Sequence, residues 1–328
     1  MDALSSVLKT IRLSGVIFLR ADLHGRYGIS MPPPTISHPS IKPPSPEHRL
    51  VMFHIVREGS GYVEVEGFSP RKLEQGDLII VLDDLFHSIV DTPGRETIDS
   101  ANLVPKQSDV AAPPEVEVGD DGDNAMRLVC GMLHFVDRGY TPLFSALPPF
   151  LHIRKDEGPA SEWLQANISH VVREAEGGRP GSESLLSNLT ELLFVETLRC
   201  YLEKVDSDAG WFAALKEPGV GNALELIHRD PARSWTVADL AKRVGMSRSA
   251  FAAKFSRLLG CAPMAYLTRW RIRLATNLLE DVGQSVGGIA AAVGYESEAA
   301  FSRAFKREIG LAPAAWRATR ASATTANE

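Results

Sequence analysis

Two segments near the C-terminus of this 328-residue chain repeat the same pattern about fifty residues apart. Residues 240–245 are echoed by residues 289–294 and, after a one-residue insertion, the echo continues. The later shared positions are a serine, two phenylalanines, a glycine and a proline, in the pairs Ser247/Ser297, Phe251/Phe301, Phe255/Phe305, Gly260/Gly310 and Pro263/Pro313. A helix, a glycine turn, a serine-capped helix and a glycine stop predict a helix-turn-helix. Two copies predict a protein that recognises two successive major grooves of DNA.

Local signals place the helices of the first copy. A helix is expected from residue 222 to about residue 229, before Pro231. Thr236 is expected to cap the next helix, with Asp239 near its positive N-terminus. Gly245 then supplies the turn, and Ser247 caps the recognition helix.

The helical period separates a core face from a DNA face in each recognition helix. The paired phenylalanines are one turn apart and are expected to point inward. The outward residues of the first copy, our candidate DNA contacts, are Arg248, Ser249, Ala252, Ala253, Lys254 and Arg257. Those of the second copy are Glu298, Ala299, Ser302, Arg303 and Lys306. Residues 264–280 predict a connecting helix of about 17 residues, or about 25 Å. Together with the radii of the flanking units, this length can place the recognition helices about 34 Å apart, which is one turn of DNA.

Charge is unevenly distributed along the chain. The net charge is −6, yet residues 222–328 hold 15 Lys and Arg against 9 Asp and Glu, whereas the remainder holds 20 against 32. This asymmetry predicts a cationic module for a polyanion joined to an acidic module. No apolar run reaches the length of a membrane span, and no secretory signal is expected at the N-terminus. Three widely spaced cysteines fit a reducing cytoplasm.

The first 150 residues predict a strand-rich domain. Short apolar runs with glycines between them occur at residues 51–56, 61–66, 78–82 and 127–135. Such runs predict a small antiparallel barrel or sandwich. Residues 32–44 and 105–123 are rich in proline, and both are predicted to be exposed loops.

Helical periodicity begins at residue 158. One helix is expected around Trp163 and Ile168, broken at residues 177–181, and a second from residue 182 to about residue 205. The second carries a leucine-rich stripe from Leu185 to Leu202, which fits an internal core and a dimer seam equally well. Residues 206–220 are expected to be a linker.

The region from about residue 223 to residue 317 resembles the AraC/XylS family of bacterial transcription regulators. The matching residues in the second copy are Ile289-Ala290, Val293-Gly294-Tyr295, Ser297, Phe301-Ser302-Arg303, Phe305-Lys306, Gly310 and Pro313. Those in the connecting helix are Tyr266-Leu267, Arg271-Ile272, Ala275 and Leu278-Leu279. The resemblance implies promoter DNA and RNA polymerase as partners, dimerisation, and activation as the commoner mode of regulation.

The first copy departs from the family pattern. Where the family usually has an arginine it has Ala253, and where the family usually has a basic residue it has Ser256. Small side chains can contact a thymine methyl group but cannot form the bidentate hydrogen bonds of arginine. We therefore expect Arg303, then Ser302, to make the main base contacts. Arg248, Lys254 and Arg257 are expected mainly to contact phosphates.

Residues from about 8 to 149 resemble the cupin-like sensor domain of many such regulators. The resemblance rests on the turn at residues 58–61, the segment 75–78, and His87. Metal-binding cupins have a His-x-His pair, a glutamate and a later histidine. Only His87 fits, and His48 has no partner two residues away, so no metal site or other cofactor is predicted. The resemblance implies that this domain senses a small molecule or mediates dimerisation.

Two further residues of this domain could carry chemistry. His54 is expected to be an ordinary strand residue rather than a metal ligand. Cys130, within an apolar strand, could be a redox sensor or a buried structural thiol. The second role is favoured, because nothing nearby in sequence would lower its pKa.

Taken together, these patterns predict a multidomain α+β protein. The expected parts are an N-terminal antiparallel, cupin-like β-barrel, a helical connector, and a C-terminal all-α domain with two helix-turn-helix units joined by a long helix. Their predicted bounds are 1–150 for the sensor domain, 151–205 for the connector, 206–221 for a linker, 222–320 for the DNA-binding domain and 321–328 for a disordered tail.

The predicted function is sequence-specific regulation of transcription in the cytoplasm, without enzymatic activity. Expected partners are double-stranded promoter DNA, RNA polymerase, a small-molecule effector and a second copy of the chain, with no membrane. The effector, the operator and the choice between activation and repression stay open. The alternative is a cupin-type, metal-dependent enzyme with an accessory helical domain, which the incomplete metal triad disfavours.

Overall fold

The computed structural model describes residues 2–32, 48–82, 85–103, 113–123, 125–136, 142–155, 161–177, 179–205, 209–281 and 283–325. These residues form two compact units. The first, called the barrel unit, is made from the described parts of 13–136 and 147–204. The second, called the helical unit, is made from those of 1–12, 137–146 and 205–328. In neither unit does a described helix have the length and apolar character needed to cross a bilayer.

The barrel unit is built on ten strands of one curled sheet. The strands are β1 (Arg12–His24), β2 (Gly28–Met31), β3 (His48–Val65), β4 (Arg71–Glu74), β5 (Leu78–Val81), β6 (His87–Val90), β7 (Ile98–Asp99), β8 (Glu115–Gly119), β9 (Ala125–Val136) and β10 (Phe150–Ile153). The main path runs β7-β2-β6-β3-β9-β1-β8, and β3 also pairs with β4 and β5, while β10 pairs with β5. The inward faces enclose an apolar core that includes four methionines, Met31, Met52, Met126 and Met132. This curled, half-barrel sheet confirms the predicted cupin-like fold.

Strand β3 replaces two of the predicted strands. Residues 51–56 and 61–66 were expected on either side of a turn at residues 58–61, and this expectation is wrong. Glu58 pairs with Arg127 of β9, and Ser60 pairs with Glu74 of β4. The glycine-rich segment therefore stays in the sheet, and only the register shifts, between Val56 and Glu58. Glycine in a strand often marks such an irregularity rather than a chain reversal.

Strand β8 lies inside the segment 105–123 that was predicted to be a loop. Its residues Glu115–Gly119 pair in parallel with β1, and Val116 and Val118 are buried while their neighbours are exposed. The strand forms because valine and glutamate alternate with the period of a sheet that is buried on one face. Residues 105–112 of this segment, and residues 33–44 of the other predicted loop, lie outside the described residues.

Two helices complete the barrel unit. α3 (Ser161–Gly177) and α4 (Ser182–Lys204) agree with the predicted pair and its break. The leucine stripe on α4 divides between two faces. Leu186, Leu193 and Leu198 are buried, whereas Leu185 and Leu192 are 38% and 40% exposed. Part of the stripe is therefore an internal core.

The helical unit contains ten helices among its described residues. They are α1 (Ala3–Leu8), α2 (Pro142–Ala146), α5 (Trp211–Lys216), α6 (Pro218–Arg229), α7 (Val237–Arg243), α8 (Arg248–Leu259), α9 (Pro263–Leu278), α10 (Val286–Ala292), α11 (Glu298–Ile309) and α12 (Pro313–Thr325). The predicted linker at 206–221 instead contains α5 and the start of α6, because Trp211, Phe212 and Ala214 are buried. α12 continues to Thr325, so the backbone of 321–325 is helical rather than the predicted disordered tail.

The first residues of the chain belong to the helical unit, not to the predicted sensor domain 1–150. Asp2 caps α1, and Leu4 and Val7 are buried. The carbonyl oxygen of Thr10 accepts hydrogen bonds from Arg273 Nη2 at 2.9 Å and Asn277 Nδ2 at 3.1 Å, both on α9. These bonds attach the N-terminal segment to the connecting helix. Residues 142–146, which form α2, also belong to this unit.

Candidate nucleic-acid interface

The first helix-turn-helix has the caps that the sequence predicts. Thr236 Oγ1 accepts from the Asp239 N–H at 3.1 Å, and the Asp239 carboxylate accepts from the Thr236 N–H, which completes a capping box. Gly245 has a φ of 71°, and the following Met246 N–H donates to Ala241 O at 2.9 Å. Ser247 caps α8 through the Ala250 N–H. The turn therefore places α8 across α7.

The second helix-turn-helix repeats the contacts of the turn and of the recognition-helix cap. Gly294 has a φ of 88°, and the Tyr295 N–H donates to Ala290 O at 2.9 Å, as Met246 does to Ala241 in the first copy. Ser297 caps α11 through the Ala300 N–H. The buried rings of Phe301 and Phe305 lie 5.5 Å apart, and those of Phe251 and Phe255 lie 5.6 Å apart. The sequence repeat is therefore a repeat of backbone geometry.

The two copies are joined by more than the connecting helix α9. Arg271 on α9 donates from Nε to Pro231 O at 2.7 Å and from Nη2 to Arg233 O at 2.9 Å. A Cβ added to Gly294, in the second turn, would lie 2.5 Å from Ala232 O. The loop before α7 therefore packs against the turn of the second copy. This contact fixes the orientation of one recognition helix relative to the other.

A buried cluster of aromatic residues supports the first copy. The Trp211 Nε1–H donates to Tyr266 Oη at 3.2 Å, and the Tyr266 hydroxyl lies 2.9 Å from His228 Nε2. His228 Nδ1 lies 3.3 Å from Ala3 O, which can only accept. Nδ1 therefore carries the proton, and Nε2 accepts from Tyr266. Burial lowers the pKa of His228 to about 4. The neutral imidazole thus links α6, α9 and α1.

The outward face of α8 is exposed but offers few side chains that can donate hydrogen bonds to bases. Arg248, Ser249 and Ala253 are exposed, Ala252 is half-buried, and Arg257 is exposed at the far end of the helix. Lys254 Nζ instead lies 2.5 Å from Glu217 Oε1, the residue that caps α6. Lys254, one of the six predicted DNA contacts, is therefore already paired with a carboxylate. Glu217 was not predicted, and its only sequence signal is its place before Pro218.

The outward face of α11 carries the stronger donors. Glu298, Ala299, Arg303 and Lys306 are exposed, and Ser302 is half-buried on the same side. No ion pair or hydrogen bond is formed by the Arg303 guanidinium or the Lys306 ammonium within the described ranges. Both cations are therefore available to a polyanion. These five residues were predicted to lie together, and in the structure they occupy one face of α11.

The barrel interior contains a polar cluster that the sequence analysis did not predict. His54 Nδ1 lies 3.0 Å from Cys130 Sγ, and His54 Nε2 lies 2.8 Å from His87 Nε2. His87 Nδ1 lies 3.1 Å from Leu85 O, which can only accept, so the proton of His87 is on Nδ1. His54 then donates from Nε2 to His87, and the Cys130 thiol donates to His54 Nδ1. Each proton of this hydrogen-bonded cluster is therefore assigned to one atom.

All three side chains of this cluster are neutral. Burial raises the pKa of Cys130 to about 12, so the thiol keeps its proton. Burial also lowers the pKa of His54 well below its ordinary value and that of His87 to about 4. A protonated, fully buried thiol is a poor nucleophile. This chemistry favours the structural role of Cys130 over the redox role.

The cluster does not fit a cupin metal centre. The two ring nitrogens of His54 point to different partners, so His54, His87 and Cys130 cannot direct three donors to one ion. Across the described ranges, no group of three or more histidine, cysteine or acidic side chains is arranged to hold a metal. The side chain of His48 lies outside the described residues.

Comparison with known proteins agrees with this architecture. A family model described as "Cupin" matches residues 2–203, and one described as "Helix-turn-helix domain" matches residues 240–319. A putative AraC-like transcription regulator from Streptomyces lividans is 33% identical over 319 residues, which cover 97% of this chain and 98% of the relative. The HTH-type transcriptional regulator AlkR from Acinetobacter baylyi is 30% identical over 322 residues, covering 97% and 99%.

Among solved structures, the DNA-binding domain of AdpA, a global transcriptional factor, in complex with a target DNA is 33% identical. It covers 32% of this chain and 93% of that chain, with a TM-score of 0.30. The full-length relatives are transcription regulators, which supports the regulator hypothesis and not the enzyme alternative. The chain therefore belongs to the AraC family of DNA-binding transcription regulators, with an N-terminal cupin domain and a C-terminal helix-turn-helix domain.

Proposed function

We propose that the two recognition helices contribute unequally to promoter recognition, with α11 supplying most of the base contacts. One observation carries this proposal. Arg303 is exposed on the outward face of α11 without an ion-pair partner in the described part of the chain, whereas the equivalent face of α8 offers Ser249, Ala252 and Ala253. An arginine can bind the O6 and N7 atoms of guanine in a bidentate manner, and these small side chains cannot.

The test compares specific with non-specific DNA. The affinity of the purified full chain is measured by fluorescence anisotropy on its own upstream region and on a scrambled duplex. Arg303→Ala should weaken specific binding by about tenfold or more and change non-specific binding little. Arg307→Ala is a matched control, because Arg307 lies on the same helix but contacts Glu308. Equal losses on both duplexes would contradict the base-contacting role of Arg303.

We assign phosphate contacts mainly to Arg248 in the first copy. It is exposed at the start of α8 and has no ion-pair partner within the described ranges, whereas Lys254 is paired with Glu217. The slope of log affinity against log salt concentration should fall by about one when Arg248 is replaced by glutamine. The same change at Lys254 should reduce the slope less. A larger effect at Lys254 would show that its ion pair opens on DNA.

The exposed part of the α4 stripe is our candidate dimer seam. Leu185, Leu189 and Leu192 follow the spacing of one helix face, and the first and last are 38% and 40% exposed. Sedimentation equilibrium of the full chain should give a dimer, and Leu192→Lys should give a monomer. Val16→Lys is the control, because Val16 is also exposed in the barrel unit, at 47%. A dimer that survives Leu192→Lys refutes this seam.

The remaining roles follow from family membership. The barrel unit is proposed to bind a small-molecule effector, and the whole chain to activate transcription by RNA polymerase at cytoplasmic DNA. Transcription in vitro, with purified polymerase and the chain's upstream region as template, distinguishes activation from repression. An unchanged transcript level would contradict both.

A further inference from the structure

A cationic recess opens on the barrel unit beside the edges of β4 and β10. Its volume is about 380 Å³, which is the size of a small-molecule site. Two arginines, one lysine, one glutamate and one histidine line it, namely Arg71, Arg154, Lys72, Glu74 and His152. Lys72 Nζ lies 2.9 Å from Glu74 Oε1, so these two charges compensate each other. Two guanidinium groups remain.

This concentration of positive charge is unusual for the unit that carries it. Residues 13–136 and 147–204 together contain 16 Lys and Arg against 27 Asp and Glu. Most described arginines of this unit pair with a carboxylate, namely Arg20, Arg26, Arg57, Arg95, Arg127, Arg179 and Arg199. Arg71 and Arg154 form no ion pair within the described ranges, despite the excess of acidic residues. Within the described part of the unit, both guanidinium charges are therefore available to bind an anion.

Aromatic packing holds Arg71, one wall of the recess, in place. The Arg71 guanidinium lies 4.8 Å from the centre of the Phe150 ring, and the Phe68 ring meets Phe150 edge-on at 5.1 Å. Phe150 also belongs to the apolar core of the barrel. A guanidinium stacked on a fixed ring loses less conformational entropy when it binds an anion.

The histidine of the recess is also oriented by a buried group. His152 Nε2 lies 2.9 Å from Asp77 Oδ2, and the two side chains are 6% and 3% exposed. Burial would raise the pKa of Asp77, but hydrogen bonds from His152 and from the backbone N–H groups of Glu74 and Lys155 hold it below its usual value. Asp77 is therefore a carboxylate, and it accepts the Nε2–H of His152. The imidazole cannot turn without breaking this bond.

We propose that this recess binds a small oxyanion, carboxylate or phosphate, through Arg71 and Arg154, with His152 and Lys72 beside it. Two guanidinium groups in one recess favour an anion with more than one oxygen, since each can donate two parallel hydrogen bonds. Glu74 opposes the anion and limits its affinity. The site consists of barrel-unit residues alone, so binding of the anion can be measured without DNA.

The experiment is isothermal titration calorimetry of the full chain with inorganic phosphate and, separately, with citrate. Chloride is added so that all solutions have the same ionic strength. Differences in binding heat that come only from screening of surface charges then disappear. The variants are Arg71→Gln, Arg154→Gln and the double variant. Arg173→Gln is the control, because Arg173 is an exposed arginine of α3 that only donates to Ser169 O. Unchanged thermal midpoints show that the variants fold.

The wild type should bind one anion per chain, and each single variant should bind it about tenfold more weakly, as expected for the loss of a charge-assisted hydrogen bond. Glu74→Gln should tighten binding, which damage to the fold would not do. Tighter binding of phosphate than of citrate identifies a phosphoryl ligand, and the reverse identifies a carboxylate ligand. The proposal is overturned if neither anion binds at matched ionic strength, or if the double variant binds as tightly as the wild type.

Discussion

Acid should destabilise the helical unit through one residue, His228. It is the only histidine in residues 1–12, 137–146 and 205–328. Its imidazole is buried, stacks on Trp270 at 4.0 Å between ring centres, and uses both ring nitrogens in the bonds to Tyr266 and Ala3. Protonation would remove the acceptor of the Tyr266 hydroxyl and leave a charge in an aromatic cluster.

The magnitude follows from the difference between two pKa values. The pKa of His228 is about 4 in the folded protein and 6.5 in its ordinary state, so the unfolded chain binds more protons between these values. Stability is therefore fully present above pH 6.5 and is lost as the pH falls from 6.5 toward 4. The slope within this window approaches about 1.4 kcal/mol per pH unit. By about pH 5, the loss is about 2 kcal/mol.

Tryptophan fluorescence during urea unfolding measures this loss in the full chain. Four of the five tryptophans belong to the helical unit, namely Trp211, Trp235, Trp270 and Trp316. His228→Gln should be less stable at neutral pH, because the buried bonds are disturbed, but its stability should vary much less between pH 6.5 and about 5. A flat wild-type profile in this window, or an equal slope in His228→Gln, would refute the assignment.

Three smaller perturbations test other contacts. Gly245→Ala should lower the free energy of unfolding by about 1–2 kcal/mol, because the new side chain has free space but its backbone is left-handed. Gly294→Ala should lower it further in a urea melt, since its Cβ would lie 2.5 Å from a backbone oxygen. Equal costs would contradict the packing of the second turn. Thr236→Ala should lower the unfolding free energy by about 1 kcal/mol through loss of the capping box. Under native conditions, mass spectrometry should find iodoacetamide on the half-buried Cys261 before the fully buried Cys130; early labelling of Cys130 would contradict its neutral, enclosed state.

The helical unit was largely predictable because its signals are local. Helix caps, glycine turns and paired phenylalanines act within a few residues, and the sequence contains each of them twice. Ser247 and Ser297 cap the helices that they were predicted to cap. The segment around Trp211 was missed because a helix of six residues is too short to show a clear period.

The barrel unit was less predictable because its elements depend on distant partners. The segment around Gly59 resembles a turn, and its pairing with β9 and β4 keeps it in the sheet. Val116 and Val118 lie in an acidic, proline-rich region, and β8 forms because β1 offers it a free edge. Strand formation of this kind depends on context more than on local preference.

The polar cluster of the barrel shows the same limit for side chains. His54 and Cys130 are 76 positions apart in sequence, and only the register of β3 and β9 makes them direct partners. His87 reaches them from β6, on the other side of β3. The spacing of histidines along the chain therefore suggested an incomplete metal site that includes His87, whereas the structure places His87 in a neutral hydrogen-bond chain with His54 and Cys130.

The contact between the two helix-turn-helix copies explains how unequal recognition faces can act together. Arg271 holds the loop at residues 231–233, and Gly294 packs against the same loop, so the copies are oriented by two contacts and by α9. In the proposed mode of binding, the contacts of Arg303 with bases also present α8 to the neighbouring groove, without a further cost in rotational freedom. The proposed phosphate contacts of α8 would then add to affinity, although its small side chains form few hydrogen bonds with bases. On this proposal, a weakly binding first copy is useful because it is fixed to a second copy that binds more strongly.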